Sequence, residues 1–224
     1  IVQYMSRKQL EKSIERTKKL MQEAAKKLDF IEAAQYRDEV LKMEELLKDR
    51  RGNLTLTNIN GLCRIALDKL KKTYEQDIQE KNIRIIFDNL TLSLMMEVNV
   101  EQFSKVLAGI LKNSMYALLK KSETVTFSPE IFLGLKVNKD MLEITIRDNG
   151  SGIDENIKDK IFAPFFTTKT TGEAAGVGLY LCREIVQNHR GTIEVESKKG
   201  EYTQFLITIP VYQPKTITPP KEEE

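Results

Sequence analysis

A single histidine and two cysteines in 224 residues leave little material for a metal centre or a disulfide framework. Both thiols, Cys63 and Cys182, fall in apolar helical patterns, so two buried thiols in a reducing compartment are expected. No apolar run approaches the ~18 residues a membrane span needs, and no signal-peptide pattern opens the chain. A cytoplasmic location follows as the expectation. The first residue is Ile1 rather than Met, so a piece of a longer protein is expected, such as the cytoplasmic part of a larger sensor. A net charge of +2 gives no strong case for nucleic acid or an anionic membrane, and no direct binding to nucleic acid is expected. Neither glycine nor proline occurs before Gly52.

That uninterrupted stretch is highly charged and helical in pattern. Leu10, Ile14, Thr17, Met21, Ala24 and Leu28 recur at alternating four- and three-residue spacings. After a break at "LDF", Ala33, Tyr36, Val40, Met43 and Leu47 do the same, with Asp29 as candidate N-cap. Two amphipathic helices joined this briefly form an antiparallel hairpin over residues 1–50. Alone it can hide only part of its apolar surface, so docking or a homodimer through the hairpin is expected. A junction at 51–53 leads into a chain of different character. Strands are expected at 54–57, 83–87, 131–137, 141–147, 191–197 and 203–209. Helices are expected over 60–80, over 100–120 and up to about 189, with a glycine-punctuated segment at 149–178. Helices interleaved with hairpin-like strand pairs make residues 54–211 an α/β two-layer sandwich. The proline-rich, charged tail, 212–224, is expected to be disordered.

Three places break the pattern of an ordinary core. In "MLEITIRD", Leu142, Ile144, Ile146 and Asp148 share one face, because strand side chains alternate with period two. Asp148 thus continues a buried face, where a carboxylate costs several kcal/mol unless donors meet it. Gly150 and Gly152 follow at once, removing side chains to open room for a flat ligand and permitting positive φ. A polar turn after a strand is the plain alternative. In "VEQFSKVLAGILKNSMYALLK", Asn113 sits at the edge of the stripe Phe103, Val106, Leu107, Ile110, Leu111 and Leu118. An amide oxygen there suits Mg²⁺, which binds through few protein groups plus substrate phosphates; a hydrogen-bonded helical Asn is the alternative. In "IFAPFFTTKTTGEAAGVGLYLCREIV", Gly176 and Gly178 bare the N–H groups of a helix start, which favour phosphate, and Lys169 adds a point charge. The stretch before that helix reads as a lid over a ligand. Its spacing matches neither a P-loop nor a Rossmann fingerprint.

The order of these elements resembles the GHKL ATPase superfamily, with its Bergerat-type ATP-binding fold, and most of all the catalytic domain of sensor histidine kinases. "LKNSMYAL" stands for the N box, "DNGSG" for the first glycine box, "FAPFFTTK" for the F box and "GEAAGVGLYL" for the second glycine box. The resemblance implies ATP and Mg²⁺ as ligands. It implies that Asp148 accepts a hydrogen bond from the adenine amino group, that Asn113 holds Mg²⁺ and that Thr203 assists around the base. Gly176, Gly178 and Leu179 would belong to the phosphate cradle. No catalytic residue is assigned. Four departures bear on turnover: Gly109 where such kinases carry an Asn, Tyr116 at an often basic position, and Ala174 and Tyr202 in place of glycines.

Such kinases place a histidine-bearing hairpin before the ATP domain, yet residues 6–48 hold no histidine. The one present, His189, sits at a helix C-terminus, where a structural role is expected and where this family commonly has a histidine. "MQEAAKKLDFIEAAQYRDEVLKMEELL" instead resembles the UVR hairpin that ends the helicase subunit of bacterial excision repair. That resemblance implies self-association and protein partners; no helicase motif is present. The leading expectation is therefore a histidine kinase-type Mg-ATP domain, donating its γ-phosphoryl group to a histidine outside the hairpin, with a phosphoacceptor or response-regulator protein as partner. The alternative is an association module, of natural or engineered origin, in which ATP acts only as a conformational switch. A plain ATPase of the gyrase or chaperone type fits less well, because Gly109 offers no carboxylate.

Overall fold

The computed structural model describes residues 7–51, 54–167 and 177–211. Helices α1 (Arg7–Lys26) and α2 (Phe30–Arg51) form the hairpin. Residues 27–29 both end one helix and start the next. Leu28 adopts φ 61°, the Leu28 N–H reaches the Ala25 carbonyl and the Asp29 N–H the Ala24 carbonyl, which is the Schellman arrangement with leucine where glycine is usual. Asp29 Oδ1 then accepts the Glu32 N–H at 3.0 Å as the N-cap of α2. Leu10, Ile14, Val40 and Met43 pack together between the helices, apart from the main core. Leu28, expected in the buried stripe, is instead 72% exposed, because the left-handed turn swings it out of helical phase. Phe30 and Ile31 beside it are equally exposed.

Beyond the hairpin, β2 (Arg84–Asp88), β4 (Glu130–Asn138), β5 (Met141–Asp148), β7 (Tyr202–Pro210) and β6 (Thr192–Lys198) form one five-stranded sheet in that spatial order. β2 runs parallel to β4, and all other neighbours are antiparallel. Along β5 and β7 every second residue is buried, as a sheet covered on one face requires. The cover is α3 (Ile59–Thr73), α5 (Val100–Ser122) and α7 (Gly178–Asn188), which with the sheet complete the expected two layers. Asn58 and Asn99 cap α3 and α5, accepting the Gly61 and Gln102 N–H groups at 3.1 and 2.9 Å.

The structure departs from the sequence expectation in three places. The single helix expected over 60–80 divides at Tyr74, whose backbone turns to φ −116°, leaving the short α4 (Glu75–Glu80). Thr73 Oγ1 bonds back to the Lys69 carbonyl there, a contact that bends helices, and Tyr74 and Ile78 turn onto the core. Strand β3 (Met95–Val98) was not expected; it pairs antiparallel with β1 (Thr55–Asn58) in a separate two-stranded sheet. The short helix α6 (Glu155–Lys158) is capped by Asp154.

Helix α7 is fixed firmly at its C-terminal end. His189 is buried; its Nδ1–H donates to the Ile185 carbonyl (2.8 Å) while Nε2 accepts the Asn99 N–H (3.0 Å). The ring also meets Phe103 edge-on at 5.7 Å. Both nitrogens are thus engaged, in the neutral tautomer. Further along, Cys182 Sγ lies 3.8 Å from the Val106 carbonyl and 3.1 Å from where a Cβ on Gly109 would stand. Gly109 therefore lets α5 and α7 approach closely, which accounts for a glycine at this position. Burial pushes the Cys63 and Cys182 thiols up to about 12, so neither is a reactive thiolate at neutral pH.

Candidate functional site

Buried carbon gives way to polar atoms at one end of the sheet. Asp148 ends β5 only 3% exposed, and Thr203 of β7, also buried, stands opposite it in register. Above them on α5, Ser114 falls on the buried stripe, four residues after Ile110 and three after Leu111. Asp148 Oδ1 accepts the Gly150 N–H at 3.0 Å. Burial pushes its carboxyl up to about 6, against the opposing pull of the Ser114 hydroxyl, the Gly150 N–H and the Lys121 ammonium. Ser114 Oγ lies beside the carboxylate without a hydrogen bond of normal geometry among the described residues. A buried hydroxyl so placed leaves polar capacity for a ligand or a water.

The turn after Asp148 is held from several sides. Asn149 uses its side chain twice, accepting the Glu130 N–H and donating to the Ser128 carbonyl, both at 2.8 Å. Lys121 Nζ donates to the Asn149 carbonyl at 2.7 Å and lies 4.4 Å over the Phe127 ring. The Ser151 N–H reaches the Ala117 carbonyl (3.1 Å), and the Ser151 carbonyl accepts the Gly200 N–H (2.7 Å). Lys199 pairs with Asp154 at 2.8 Å. The two glycines serve this closure. A Cβ on Gly150 would stand 2.7 Å from the Ala117 carbonyl carbon, and one on Gly152, at φ +64°, 2.2 Å from the Lys198 oxygen. Ala117 and Asp148 stand where a Gly150 side chain would go, and the Lys198–Lys199 backbone where a Gly152 side chain would go, which accounts for glycine at both positions.

Helices α5 and α7 run antiparallel, since Asn99 meets His189 and Val106 meets Cys182. One turn onward from Gly109 along α5 is Asn113, and one turn back from Cys182 along α7 is Gly178. Each step is about 6 Å, so Asn113 comes level with the start of α7. That start has no side-chain cap, and among the described residues nothing lies within 4 Å of a Cβ on Gly178. Its first N–H groups and dipole therefore point to an anion. Asn113 is half-buried at the edge of the stripe, and Leu179 packs against the core. Lys169, Gly176 and Ala174 lie outside the described residues, as does the tail. Of the aromatic cluster, Phe162 is buried edge-on to Phe205 at 6.3 Å, whereas Phe165 is 79% exposed. Tyr116 lies 5.9 Å below the Lys120 ammonium, and Tyr202 is stacked by Arg147 at 4.3 Å.

Sequence reasoning missed Ser114, Lys121, Asn149 and Ser197. Ser114 had a signal, a polar residue inside an apolar stripe, and Asn149 stood within the quoted motif. Lys121 and Ser197 had none: the Lys121 partner Asn149 lies 28 residues away, and Ser197 joins Ile153, 44 residues away, to Tyr202 and Thr203 across the β6–β7 hairpin. Among the described residues, no group of three or more His, Cys, Asp or Glu is placed to hold a metal ion, and no helix is long and apolar enough to cross a membrane.

The pattern of the histidine kinase-, DNA gyrase B- and HSP90-like ATPases matches residues 99–213, and that of the UvrB/uvrC motif matches residues 11–46. UvrABC system protein B of Bacteroides fragilis is 78% identical over 50 residues, 22% of this chain and 7% of that protein. Cyanobacterial phytochrome A of Nostoc is 35% identical over 149 residues, covering 65% of this chain and 18% of the relative. Sensor histidine kinase ZraS of Escherichia coli is 28% identical over 172 residues, 77% of this chain and 34% of that kinase. The chain thus spans about a third or less of the length of these relatives. Among solved structures, the catalytic domain of histidine kinase ThkA superposes with a TM-score of 0.58 at 28% identity, covering 71% of this chain and 96% of that one.

Proposed function

Because the chain belongs to the family of histidine kinase-, DNA gyrase B- and HSP90-like ATPases, we propose that residues 54–211 bind Mg-ATP and present its γ-phosphoryl group to a histidine outside the N-terminal hairpin. The observation that carries this reading is the buried Asp148 beside Thr203, with the uncapped start of α7 level with Asn113. In this reading Asp148 and Thr203 face the adenine, and the free N–H groups at Gly178 face phosphate. Asn113 is the residue that would hold Mg²⁺. A metal ion there supplies charge neutralisation of the triphosphate, and the rest of catalysis is positioning. His189 is not the acceptor, since packing occupies both of its ring nitrogens. The acceptor histidine is therefore not among these 224 residues; a phosphoacceptor or response-regulator protein is the expected partner, and the reaction belongs in the cytoplasm.

Calorimetric titration of the chain with a non-hydrolysable ATP analogue, with and without Mg²⁺, tests the site. Binding should tighten at least tenfold with Mg²⁺, and Asn113→Ala should abolish that gain. A variant whose affinity still responds fully to Mg²⁺ would remove Asn113 from the metal site.

The exposed Leu28, Phe30 and Ile31 at the hairpin turn favour a second role, association of two copies through residues 1–50. Sedimentation should show a concentration-dependent dimer that the double change Phe30→Ser, Ile31→Ser converts to a monomer. An unaltered chain that stays monomeric at high concentration rules this role out.

A further inference from the structure

Ser197, on β6, has every hydrogen-bonding position of its hydroxyl in use. Its Oγ–H donates to the Tyr202 carbonyl at 2.7 Å, a group that can only accept. One lone pair receives the Ile153 N–H at 2.8 Å. The remaining contact is with Thr203 Oγ1, at 3.1 Å. A hydroxyl carries one proton and two lone pairs. Ser197 thus has only a lone pair left for this contact, and Thr203 must be the donor. With its one proton directed at Ser197, Thr203 presents only lone pairs to anything else. It is buried and opposite Asp148, whose ionised carboxylate is also an acceptor without a proton to give.

We propose that Ser197 is a positioning residue that fixes Thr203 as an obligate acceptor, so that Asp148 and Thr203 together select a 6-amino purine base over a 6-oxo purine. The inference rests on the nucleotide reading above and assigns its specificity. An exocyclic amino group, or a water held beside it, brings protons to two acceptors. A carbonyl oxygen in the same place meets lone pairs from both, and a site built to accept hydrogen bonds discriminates strongly against a group that cannot donate them. Removing the Ser197 hydroxyl frees the Thr203 proton to turn towards a 6-oxo group, which relaxes the selection.

The test is titration of the full chain with ADP and with inosine 5′-diphosphate, read as the ratio of the two affinities. The unaltered chain should prefer ADP. Ser197→Ala should lower that preference about tenfold, through one regained hydrogen bond to the inosine base, and Ser197→Thr should restore it. A purely structural role would weaken both nucleotides equally and leave the ratio unchanged, which overturns the proposal. Ser197→Ala also frees the Ile153 N–H, so Thr203→Val provides the same test should that variant fail to fold. Its ratio should also fall about tenfold, and an unchanged ratio there overturns the proposal just as firmly. An unaltered chain that binds neither diphosphate refutes the nucleotide reading itself, and this inference with it.

Discussion

Asp148→Asn should make the protein more stable at neutral pH while removing its affinity for adenine nucleotides. Burial raises the folded-state value of this carboxyl to about 6, against 3.8 for an unperturbed aspartate. The folded state therefore holds its proton more tightly than the unfolded state. The resulting penalty is absent below about pH 4, grows through the window from 4 to 6, and is complete above it. At pH 7 it corresponds to about 3 kcal/mol of lost folding stability. Asparagine carries no charge, yet its amide oxygen can still accept the Gly150 N–H. The variant should melt several degrees higher at pH 7–8, with the gap closing as the pH falls towards 4. Its nucleotide affinity should fall by a factor of about 100 or more, the cost of turning an ionised acceptor into a neutral one in a buried site. Affinity of the unaltered chain should likewise decline as the pH drops through 6. Thermal unfolding across pH 4–8, with and without ADP, reads both effects. A variant that binds as before, or that is destabilised equally at every pH, would show that Asp148 is a core residue and not a ligand.

Gly152→Ala should act in the opposite sense, destabilising by about 2–4 kcal/mol. Two costs add there: a left-handed φ of +64°, and a methyl group 2.2 Å from the Lys198 carbonyl oxygen. Because the obstacle is backbone, no side-chain rotation relieves it. The turn at 149–153 would have to leave the β6–β7 connection, breaking the Gly200–Ser151 hydrogen bond. Nucleotide affinity should fall together with stability, since the same turn carries Asp148. Gly178→Ala is the internal control: no atom of the described residues lies within 4 Å of its added methyl, and it should lose no stability. Equal stability of the Gly152→Ala variant and the unaltered chain in urea titration would contradict the observed turn.

Much of the architecture was legible because it rests on local periodicity. The alternation in "MLEITIRD" placed Leu142, Ile144, Ile146 and Asp148 on one buried face, and the α5 stripe was equally plain. Asp29 was readable as a cap because capping chemistry acts over three residues. What escaped depends on distant partners. β3 is four residues long and exists through its pairing with β1, some forty residues earlier. Tyr74 leaves the helix because it packs on a core that no local window contains. Leu28 looked like the last step of a stripe until the Schellman turn rotated it outward. At the site, Asp148 was conspicuous as a charge among hydrocarbons. Ser197 and Lys121, which govern its surroundings, resemble any polar residue near the end of an element.

The two ends of α7 differ in mechanical character. His189 ties its last residues to Asn99 at the start of α5, and the Arg190 and Gly191 N–H groups close back on the Gln187 and Val186 carbonyls, whereas its first turn carries no side-chain cap. The eleven residues form a rod about 16 Å long, hydrogen-bonded to the start of α5 at one tip and held by the packing of Leu179 near the other. A tilt of about 10° around His189 would carry Gly178 through about 3 Å while the anchored tip stays in place. An anion seated on the open tip would act as a brace, turning a cantilever into a beam supported at both ends. Gly109, with Cys182 pressed against it near the middle of the rod, would set how far it can lean.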